Sequence, residues 1–345
     1  MITTRKLAEL AGVSQSTVSR SLNDRPEISA ETKERVRALA KEHGYIPQRR
    51  QKKTIYSSSR RAIGILMMRS IFRDDQFINQ LLCALSAVIS SENYYVLQLL
   101  DFYGTSGVEQ LKSLLDLSLV DGFIIINRQY DETIDQYFQK IHIPHVYLIY
   151  YLRGVSKQKN IVDTDNFAAG YLAAKHLLEL GHREIATVTM RWEEYTERTN
   201  GYRAALEEAG IPFDTDRVLH AQTDYESCYQ LILRKAELFQ TVTGLFVQMD
   251  VGAAGACNAL SVLGCRVPED VSVVSVDGLD VGILCRPALT SVRQPFEDLA
   301  KNAFDRLMQT ISQPQNSQGG KIFLRPELIV RQSTGPVRTD APAGL

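Results

Sequence analysis

The spacing of hydrophobic residues divides the chain into two parts that meet near residue 60. Residues 1–47 repeat apolar positions at helical spacing in three short segments. Gly12 breaks the first segment, Ser14 precedes the second and Ser29 precedes the third, as glycine and capping serines do at helix ends. The pattern predicts three small helices packed on one another.

From Ala62 onward, short apolar runs typical of strands alternate with stretches of helical spacing. The predicted strands are Ile63–Met68, Tyr95–Leu100, Gly122–Ile126, Val146–Ile149, Ile185–Thr189, Gly244–Val247 and Val271–Val276. The clearest predicted helices are Gln76–Ser90, Phe167–Leu180, Arg198–Ala209 and Val251–Leu263. This alternation predicts an α/β fold of parallel sheets with helices on both faces. About 280 residues exceed one core, so we expect two doubly wound lobes with a ligand between them.

Charge is distributed unevenly along the chain. Residues 1–61 hold 14 Lys and Arg against 6 Asp and Glu, a net charge of +8, whereas the other residues hold 25 against 34, a net charge of −9. The basic, polar stretch Gln48–Arg61 has no core pattern and is predicted to be a linker. A basic head on an acidic body indicates that a polyanion binds the head alone.

Several classes of function find no support in the sequence. The five cysteines are scattered without a C-x-x-C pair, and we expect neither a metal site nor another cofactor. The first ten residues lack a signal-peptide core and no apolar stretch could span a bilayer, so we expect a cytoplasmic protein without membrane contact. Nucleotide-binding, zinc-protease and serine-hydrolase motifs are absent, and we do not expect an enzyme.

A helix, a glycine turn and a second helix within the first 23 residues, on a basic segment, are typical of a helix-turn-helix. The second helix would present Gln15, Ser16, Ser19 and Arg20 to a major groove. Glutamine can pair with adenine and arginine with guanine through two hydrogen bonds each. The alternative is an ordinary helical hairpin with a solvated basic face.

Ordered motifs along the whole chain resemble the lactose-repressor/galactose-repressor family of transcriptional regulators. The segments that carry the resemblance are Leu7–Asn23 (LAELAGVSQSTVSRSLN), Ile28–Val36, Gly44–Pro47, Gly181–Ala186, Arg198–Leu206, Val267–Val274, Leu289–Gln294 and Arg325–Arg331. The resemblance covers residues 3 to about 335 and implies two periplasmic-binding-protein-like lobes behind an N-terminal helix-turn-helix headpiece. The implied division is a headpiece over 1–47, a hinge over 48–61, a first lobe over 62–160 and 294–322, and a second lobe over 161–293 and 323–337.

The resemblance also implies a homodimer that reads a near-palindromic double-stranded DNA operator. Gln15, Ser16 and Arg20 match base-reading positions, whereas other matched positions lie near phosphates, where they set the register. The complete set of implied DNA contacts is Thr3, Ser14, Gln15, Ser16, Thr17, Ser19, Arg20, Asn23, Arg49, Lys52, Lys53 and Ile55.

The hinge departs from the family pattern. The family places a short helix there with a leucine that wedges into the minor groove, whereas this chain reads Gln48–Ile55 with Thr54 at the counted position. Ile55 is the nearby apolar candidate for the wedge, and Lys52 and Lys53 would contact phosphates. The alternative is a disordered basic linker that adds only electrostatic affinity.

The effector cleft departs from the pattern as well. Arg198, Asp277 and Gln294 match positions that hold polar groups of a ligand, while Ile149 and Met249 replace an Asp and an Asn of the family. A less polar pocket than a typical sugar site follows. Candidate aromatic walls are Phe72, Phe77, Trp192 and Tyr195. As alternatives, Phe77 and Trp192 merely pack, and Arg198 and Asp277 form a structural ion pair.

The sequence therefore predicts a DNA-binding regulator, expected to be a repressor, whose operator affinity is controlled by a sugar or sugar-like effector between the lobes. One alternative is control of the same regulator by a protein corepressor. Another is a solute-binding receptor of transport, which the headpiece argues against.

Overall fold

The computed structural model describes residues 4–22, 25, 27–43, 62–67, 76–100, 104–116, 120–126, 132–149, 159–190, 193–222, 224–313 and 319–337. The chain separates into two compact units, Met1–Ser59 and Arg60–Leu345. The first is the headpiece and the second is the body, as the break in pattern near residue 60 predicts.

Three helices form the headpiece: α1 (Thr4–Ala11), α2 (Gln15–Leu22) and α3 (Ala30–Glu42). Their apolar faces meet in a small core made of Leu7, Ala8, Ala11, Val18, Val36 and Ala40. Gly12, with φ +64°, makes the turn between α1 and α2 in a conformation that suits glycine. Ser14 Oγ accepts from the amide of Thr17 at 3.1 Å, and Ser29 Oγ accepts from the amide of Thr32 at 3.3 Å, so both predicted serine caps are confirmed.

The described residues of the body form two sheets of six strands with helices on both faces. The strands are β1 (Ala62–Met67), β2 (Tyr95–Leu100), β3 (Gly122–Ile126), β4 (His145–Leu148), β5 (Ile161–Thr164), β6 (Ile185–Thr189), β7 (Val218–His220), β8 (Gly244–Val247), β9 (Ser272–Asp277), β10 (Thr290–Arg293), β11 (Lys321–Leu324) and β12 (Glu327–Ile329). The helices are α4 (Gln76–Ser91), α5 (Gly104–Asp116), α6 (Glu132–Ile141), α7 (Asn166–Glu179), α8 (Glu193–Glu208), α9 (Tyr225–Arg234), α10 (Asp250–Val262), α11 (Asp280–Leu284) and α12 (Phe296–Ser312).

Each sheet belongs to one lobe. The first-lobe sheet has the order β11-β5-β4-β3-β1-β2 and the second-lobe sheet has the order β12-β10-β9-β8-β6-β7. The strand pairs are parallel apart from β10 with β12. Parallel strands place their carboxyl ends at one edge of the sheet, where ligands of doubly wound folds bind. The α/β class and the two-lobed architecture are confirmed.

The chain passes between the lobes three times within the described residues. It leaves the first sheet after β5, returns through Gln294–Pro295 before α12, and leaves again between β11 and β12. The predicted lobe boundaries are therefore wrong by a few residues. The prediction put residues 161–164 and 323–324 in the second lobe, but Ile161 pairs with Tyr147 and Lys321 in the first sheet. The strands β5 and β11 are four residues long and carry polar positions, so their apolar signal is weak.

Helices α7 and α8 pack unusually closely. A Cβ atom built on Gly170 would lie 1.8 Å from the carbonyl oxygen of Arg198, and one on Gly201 would lie 2.0 Å from the carbonyl oxygen of Phe167. Each glycine therefore lets the backbone of the other helix approach where a side chain would stand. The contact fixes the position of Arg198 on α8 relative to α7, the helix that follows the first crossover.

Within the described part of the chain, no helix is both long and apolar enough to cross a membrane. No group of three His, Cys, Asp or Glu side chains there is placed to hold a metal ion. The five cysteines all lie in this part, and none is in a disulfide bond.

Two histidines hold the C-terminal segment against the second lobe. His176 Nε2 lies 2.9 Å from Thr334 Oγ1, while His182 contacts Thr243 Oγ1 at 3.0 Å and the carbonyl oxygen of Gly335 at 3.1 Å. Burial lowers the pKa of both imidazoles from the usual 6.5. The folded protein therefore holds them neutral at a pH where the unfolded chain already takes up protons.

We expect the free energy of unfolding to fall as the pH drops below about 6.5. The contribution of both histidines is complete above that pH, and it is lost as the pH falls toward their lowered pKa values in the folded state. Urea unfolding of the wild type and of a His176→Gln/His182→Gln variant between about pH 5 and 8 tests this. Burial also lowers the pKa of His145, which both proteins keep. The variant should show the smaller slope with pH, and equal slopes would contradict the assignment.

Candidate DNA interface and ligand site

Helix α2 packs one face against the headpiece core and exposes a polar face to solvent. Val18 is fully buried in the headpiece core, whereas Gln15, Ser16, Ser19 and Arg20 are exposed. The four polar residues recur at a spacing of about one helical turn, so their side chains share one face of α2, whereas Val18 faces the core. This is the arrangement that a recognition helix needs to enter a major groove.

The first residues of α2 are organised by Ser14. Its hydroxyl lies 2.7 Å from Ser16 Oγ and 2.8 Å from Thr17 Oγ1, in addition to capping the helix. Ser14 is exposed and Thr17 is half-buried at the helix N-terminus, where backbone amides and the helix dipole attract phosphate. The other predicted DNA contacts lie outside the described residues: Thr3, Asn23, Arg49, Lys52, Lys53 and Ile55.

In the body, polar side chains from two crossover segments and from the end of β9 meet at the boundary between the lobes. Gln294, at the second crossover, donates from Nε2 to Asp277 Oδ1 at 2.8 Å. Thr164, which ends β5, donates from Oγ1 to Gln294 Oε1 at 2.7 Å. All three side chains are buried. A hydrogen-bonded chain thus runs from the first lobe through the crossover to the end of β9 in the second lobe.

Arg198 joins this chain from α8. Its Nε donates to Asn166 Oδ1 at 2.9 Å, and one terminal nitrogen donates to the carbonyl oxygen of Gln248. The other terminal nitrogen lies 3.8 Å from Asp277 Oδ1, and both side chains are at most a tenth exposed. The guanidinium also lies over the ring of Tyr195, 4.9 Å from its centre. The structure therefore brings Arg198, Asp277 and Gln294 together as the resemblance implies, and it contains the ion pair of the alternative interpretation.

Three residues of this site were missed by the sequence analysis. Thr164 and Asn166 flank the first crossover, and Gln248 follows β8. The side-chain amide of Gln248 forms hydrogen bonds with the hydroxyls of Thr187, Thr189 and Thr199 at 3.0–3.2 Å. These contacts hold Gln248 in place, and with it the backbone carbonyl oxygen that accepts from Arg198. A rule that polar residues directly after parallel strands converge would have suggested all three.

The backbone beside Asp277 has an uncommon conformation. Asp277 has φ +122° and Gly278 has φ +79°. A Cβ atom on Gly278 would lie 2.8 Å from Arg293 Cα, so a larger residue at this position would force the backbone to shift. Strained residues of this kind persist where the surrounding contacts determine them, often at binding sites.

The predicted apolar positions are buried. Ile149 follows β4 with φ +51° and belongs to the first-lobe core, whereas Met249 precedes α10 and belongs to a second-lobe core. Phe77 is also a core residue, with its ring centre 5.1 Å from that of Phe296, which is the packing role left open above. Phe72 and Trp192 lie outside the described residues.

A helix-turn-helix headpiece followed by two doubly wound lobes, with a polar site at their crossovers, defines a DNA-binding transcriptional regulator. A family model described as bacterial regulatory proteins, lacI family, matches residues 3–48, and a periplasmic binding protein-like domain matches residues 174–334. The HTH-type transcriptional regulator CelR of Thermobifida fusca is 30% identical over 342 residues, 96% of this chain and 98% of CelR. The chain therefore belongs to the LacI family.

Solved structures agree with this assignment. A CelR–cellobiose complex has a TM-score of 0.70 at 28% identity and covers 96% of this chain and 100% of that chain. A lac repressor dimer bound to operator and the anti-inducer ONPF has a TM-score of 0.69 at 25% identity and covers 97% of this chain and 99% of that chain. The relatives are named as regulators of transcription and not as enzymes.

Proposed function

We propose that this regulator is a repressor whose affinity for its operator is controlled by a sugar or sugar-like ligand bound between the lobes. The observation that carries the proposal is the meeting of Arg198, Asp277 and Gln294 at the crossovers. A ligand that contacts these three residues contacts the second lobe and a segment that leads into the first. Such a ligand would bias how the two lobes close.

The chemistry of the site favours a ligand with hydroxyl groups on one side. A planar guanidinium suits a carboxylate or adjacent hydroxyls, and a carboxylate accepts hydrogen bonds from hydroxyls. The apolar residues Ile149 and Met249 stand where polar ones are common, so we favour a ligand with an apolar or deoxygenated side over a plain hexose. The cellobiose bound to the related CelR supports a carbohydrate as the class.

Control of DNA binding would act through a homodimer on a near-palindromic operator in the cytoplasm. The lac repressor, a relative of known structure, binds its operator as a dimer. On the second lobe, Ile283 and Leu284 in α11 are 49% and 75% exposed, and burial of contiguous exposed apolar surface favours association of two subunits. Sedimentation velocity should give twice the mass of one chain at micromolar concentration, and a monomer would contradict the dimer.

We expect Arg20→Ala to weaken specific DNA binding by about 1–3 kcal/mol and to relax base choice at one operator position. Arg20 is exposed on α2, where a guanidinium can reach a guanine edge. Binding is measured by fluorescence anisotropy on an operator selected in vitro and on its single-base variants. Arg5→Ala, on the exposed face of α1, is the control. An equal loss on every sequence would show that Arg20 contacts only phosphate.

The effector is tested by thermal shift on the full chain with a panel of carbohydrates that includes cellobiose, glucose and 6-deoxyhexoses. A ligand that binds the folded state raises the melting temperature by mass action. Each hit is then titrated by calorimetry and added to operator-binding measurements. The proposal requires at least one sugar that binds and changes operator affinity. If no sugar does so, control by a protein corepressor becomes the better account.

A further inference from the structure

A buried carboxylate that the proposed site does not include lies behind Asp277. Asp250 begins α10 and is completely buried. Its Oδ1 accepts from Ser275 Oγ at 2.6 Å and from Ser291 Oγ at 2.7 Å, and its Oδ2 accepts from the amide of Leu279 at 2.6 Å. Burial raises the pKa of this carboxyl, and the three hydrogen bonds oppose that rise. Three donors to one buried carboxylate indicate that its hydrogen bonds hold the surrounding structure in place.

The hydrogen bonds of Asp250 hold the turn that follows β9. The amide of Leu279 donates to Asp250 directly, and the amide of Gly278 donates to Ser291 Oγ at 3.1 Å, the same hydroxyl that donates to Asp250. Two successive amides of the turn Asp277–Leu279 are therefore anchored on one carboxylate network. Because Asp277 has a φ of +122°, which is uncommon for a residue other than glycine, the turn needs such contacts to keep its conformation.

The same turn contacts the other lobe. Leu279 is 2% exposed and belongs to the first-lobe core cluster, whose remaining buried members all come from the first lobe. Val251 and Val281, on either side of the Asp250 network, pack against that cluster as well. The turn thus carries a ligand-site residue at one end and an apolar contact between the lobes at the other.

We propose that Asp250 is a positioning residue that sets the turn Asp277–Leu279 and so links the ligand site to the contact between the lobes. The part that concerns the ligand rests on the proposed function. The part that concerns the turn does not, because it follows from the hydrogen bonds of Asp250 and the burial of Leu279. A substitution at Asp250 should therefore affect the conformation of the turn more than that of the sheet.

Hydrogen exchange of the full-length protein, followed by mass spectrometry of peptides, tests the turn without any ligand. Asp250→Asn replaces one acceptor oxygen by a donor, and we expect about tenfold faster exchange over residues 277–284, with β8 unchanged. Asp224→Asn is the control: it makes the same substitution at the cap of α9, where Asp224 Oδ1 accepts from Ser227 at 2.7 Å. That control should leave the turn as it is in the wild type.

A second pair of variants avoids the risk that Asp250→Asn fails to fold. Ser275 and Ser291 donate to the same oxygen of Asp250, but only Ser291 also accepts from an amide of the turn. Ser291→Ala should speed exchange of residues 277–284 by about threefold more than Ser275→Ala does. The proposal fails if the two variants give equal exchange there, or if exchange rises uniformly across the second lobe.

Titration with cellobiose, or with the panel sugar that binds the wild type if cellobiose does not, then tests the ligand half. Ser291→Ala should bind it several times more weakly than Ser275→Ala, and equal affinities would overturn the link to the site. If the wild type binds neither cellobiose nor another sugar of the panel, the proposed function fails, while the exchange result still decides whether Asp250 sets the turn.

Discussion

Arg198→Met should lower the free energy of unfolding by about 3–5 kcal/mol, because removing one partner of a buried ion pair is strongly destabilising. Asp277 is about nine-tenths buried, and its Oδ1 lies 3.8 Å from the guanidinium of Arg198. The variant also removes the donors to Asn166 and Gln248, whose oxygens lose a partner. Urea unfolding measured by circular dichroism gives the loss.

A double variant separates the charge effect from the rest. Arg198→Met/Asp277→Asn contains neither charge, and exchanging a buried ion pair for neutral side chains of similar size often costs little. We therefore expect the double variant to recover part of the stability that Arg198→Met loses. The remaining deficit reports the contacts with Asn166 and Gln248. A double variant as unstable as the sum of both single variants would show that the two charges do not interact.

Both variants should lose the response to the ligand and keep the ability to bind operator. Arg198 lies in the body, and the helix-turn-helix lies in the separate headpiece unit. Operator binding without ligand should therefore stay close to that of the wild type, while calorimetry with a sugar that binds the wild type gives no signal. Unchanged ligand affinity in Arg198→Met would remove Arg198 from the ligand site.

The sequence predicted most of the fold because its local signals agree with the global structure. Ser14 and Ser29 cap helices as expected, and the apolar runs Phe123–Ile126 and Val146–Leu148 lie in buried strands. The misses have physical reasons. The strand β5 reads Ile-Val-Asp-Thr and is recognised by its neighbours β4 and β11, not by its own pattern. Residue 161 was therefore assigned to the wrong lobe.

The site was predictable in its ligand-matching residues and not in their partners. Arg198 and Asp277 follow from the resemblance, but Asn166 and Gln248 are 32 and 50 residues from Arg198 in the chain. No local pattern links such positions before the sheets are assembled. Phe77 was a candidate wall of the ligand site, but it lies in the first-lobe core. The sequence could not separate these two roles, because a large aromatic side chain suits either one.

Gly170→Ala should destabilise the protein by about 3 kcal/mol or more and displace Arg198. An alanine gains about 1 kcal/mol of helix propensity over glycine, but its Cβ would lie 1.8 Å from the carbonyl oxygen of Arg198, where only backbone can yield. Helices α7 and α8 must therefore separate at that point. Movement of α8 carries the guanidinium away from both Asn166, which lies on α7, and Asp277.

Gly255→Ala is the matched control, since its Cβ would lie 2.3 Å from the carbonyl oxygen of Tyr225 in the α9–α10 pair, away from Arg198. Both variants should lose stability in urea. The coupling free energy between Arg198 and Asp277, measured with the Arg198→Met and Asp277→Asn variants, should shrink in the Gly170→Ala background alone. If it persists there at its wild-type value, the close contact of α7 and α8 supports only the fold, and the position of Arg198 is set by its own hydrogen bonds.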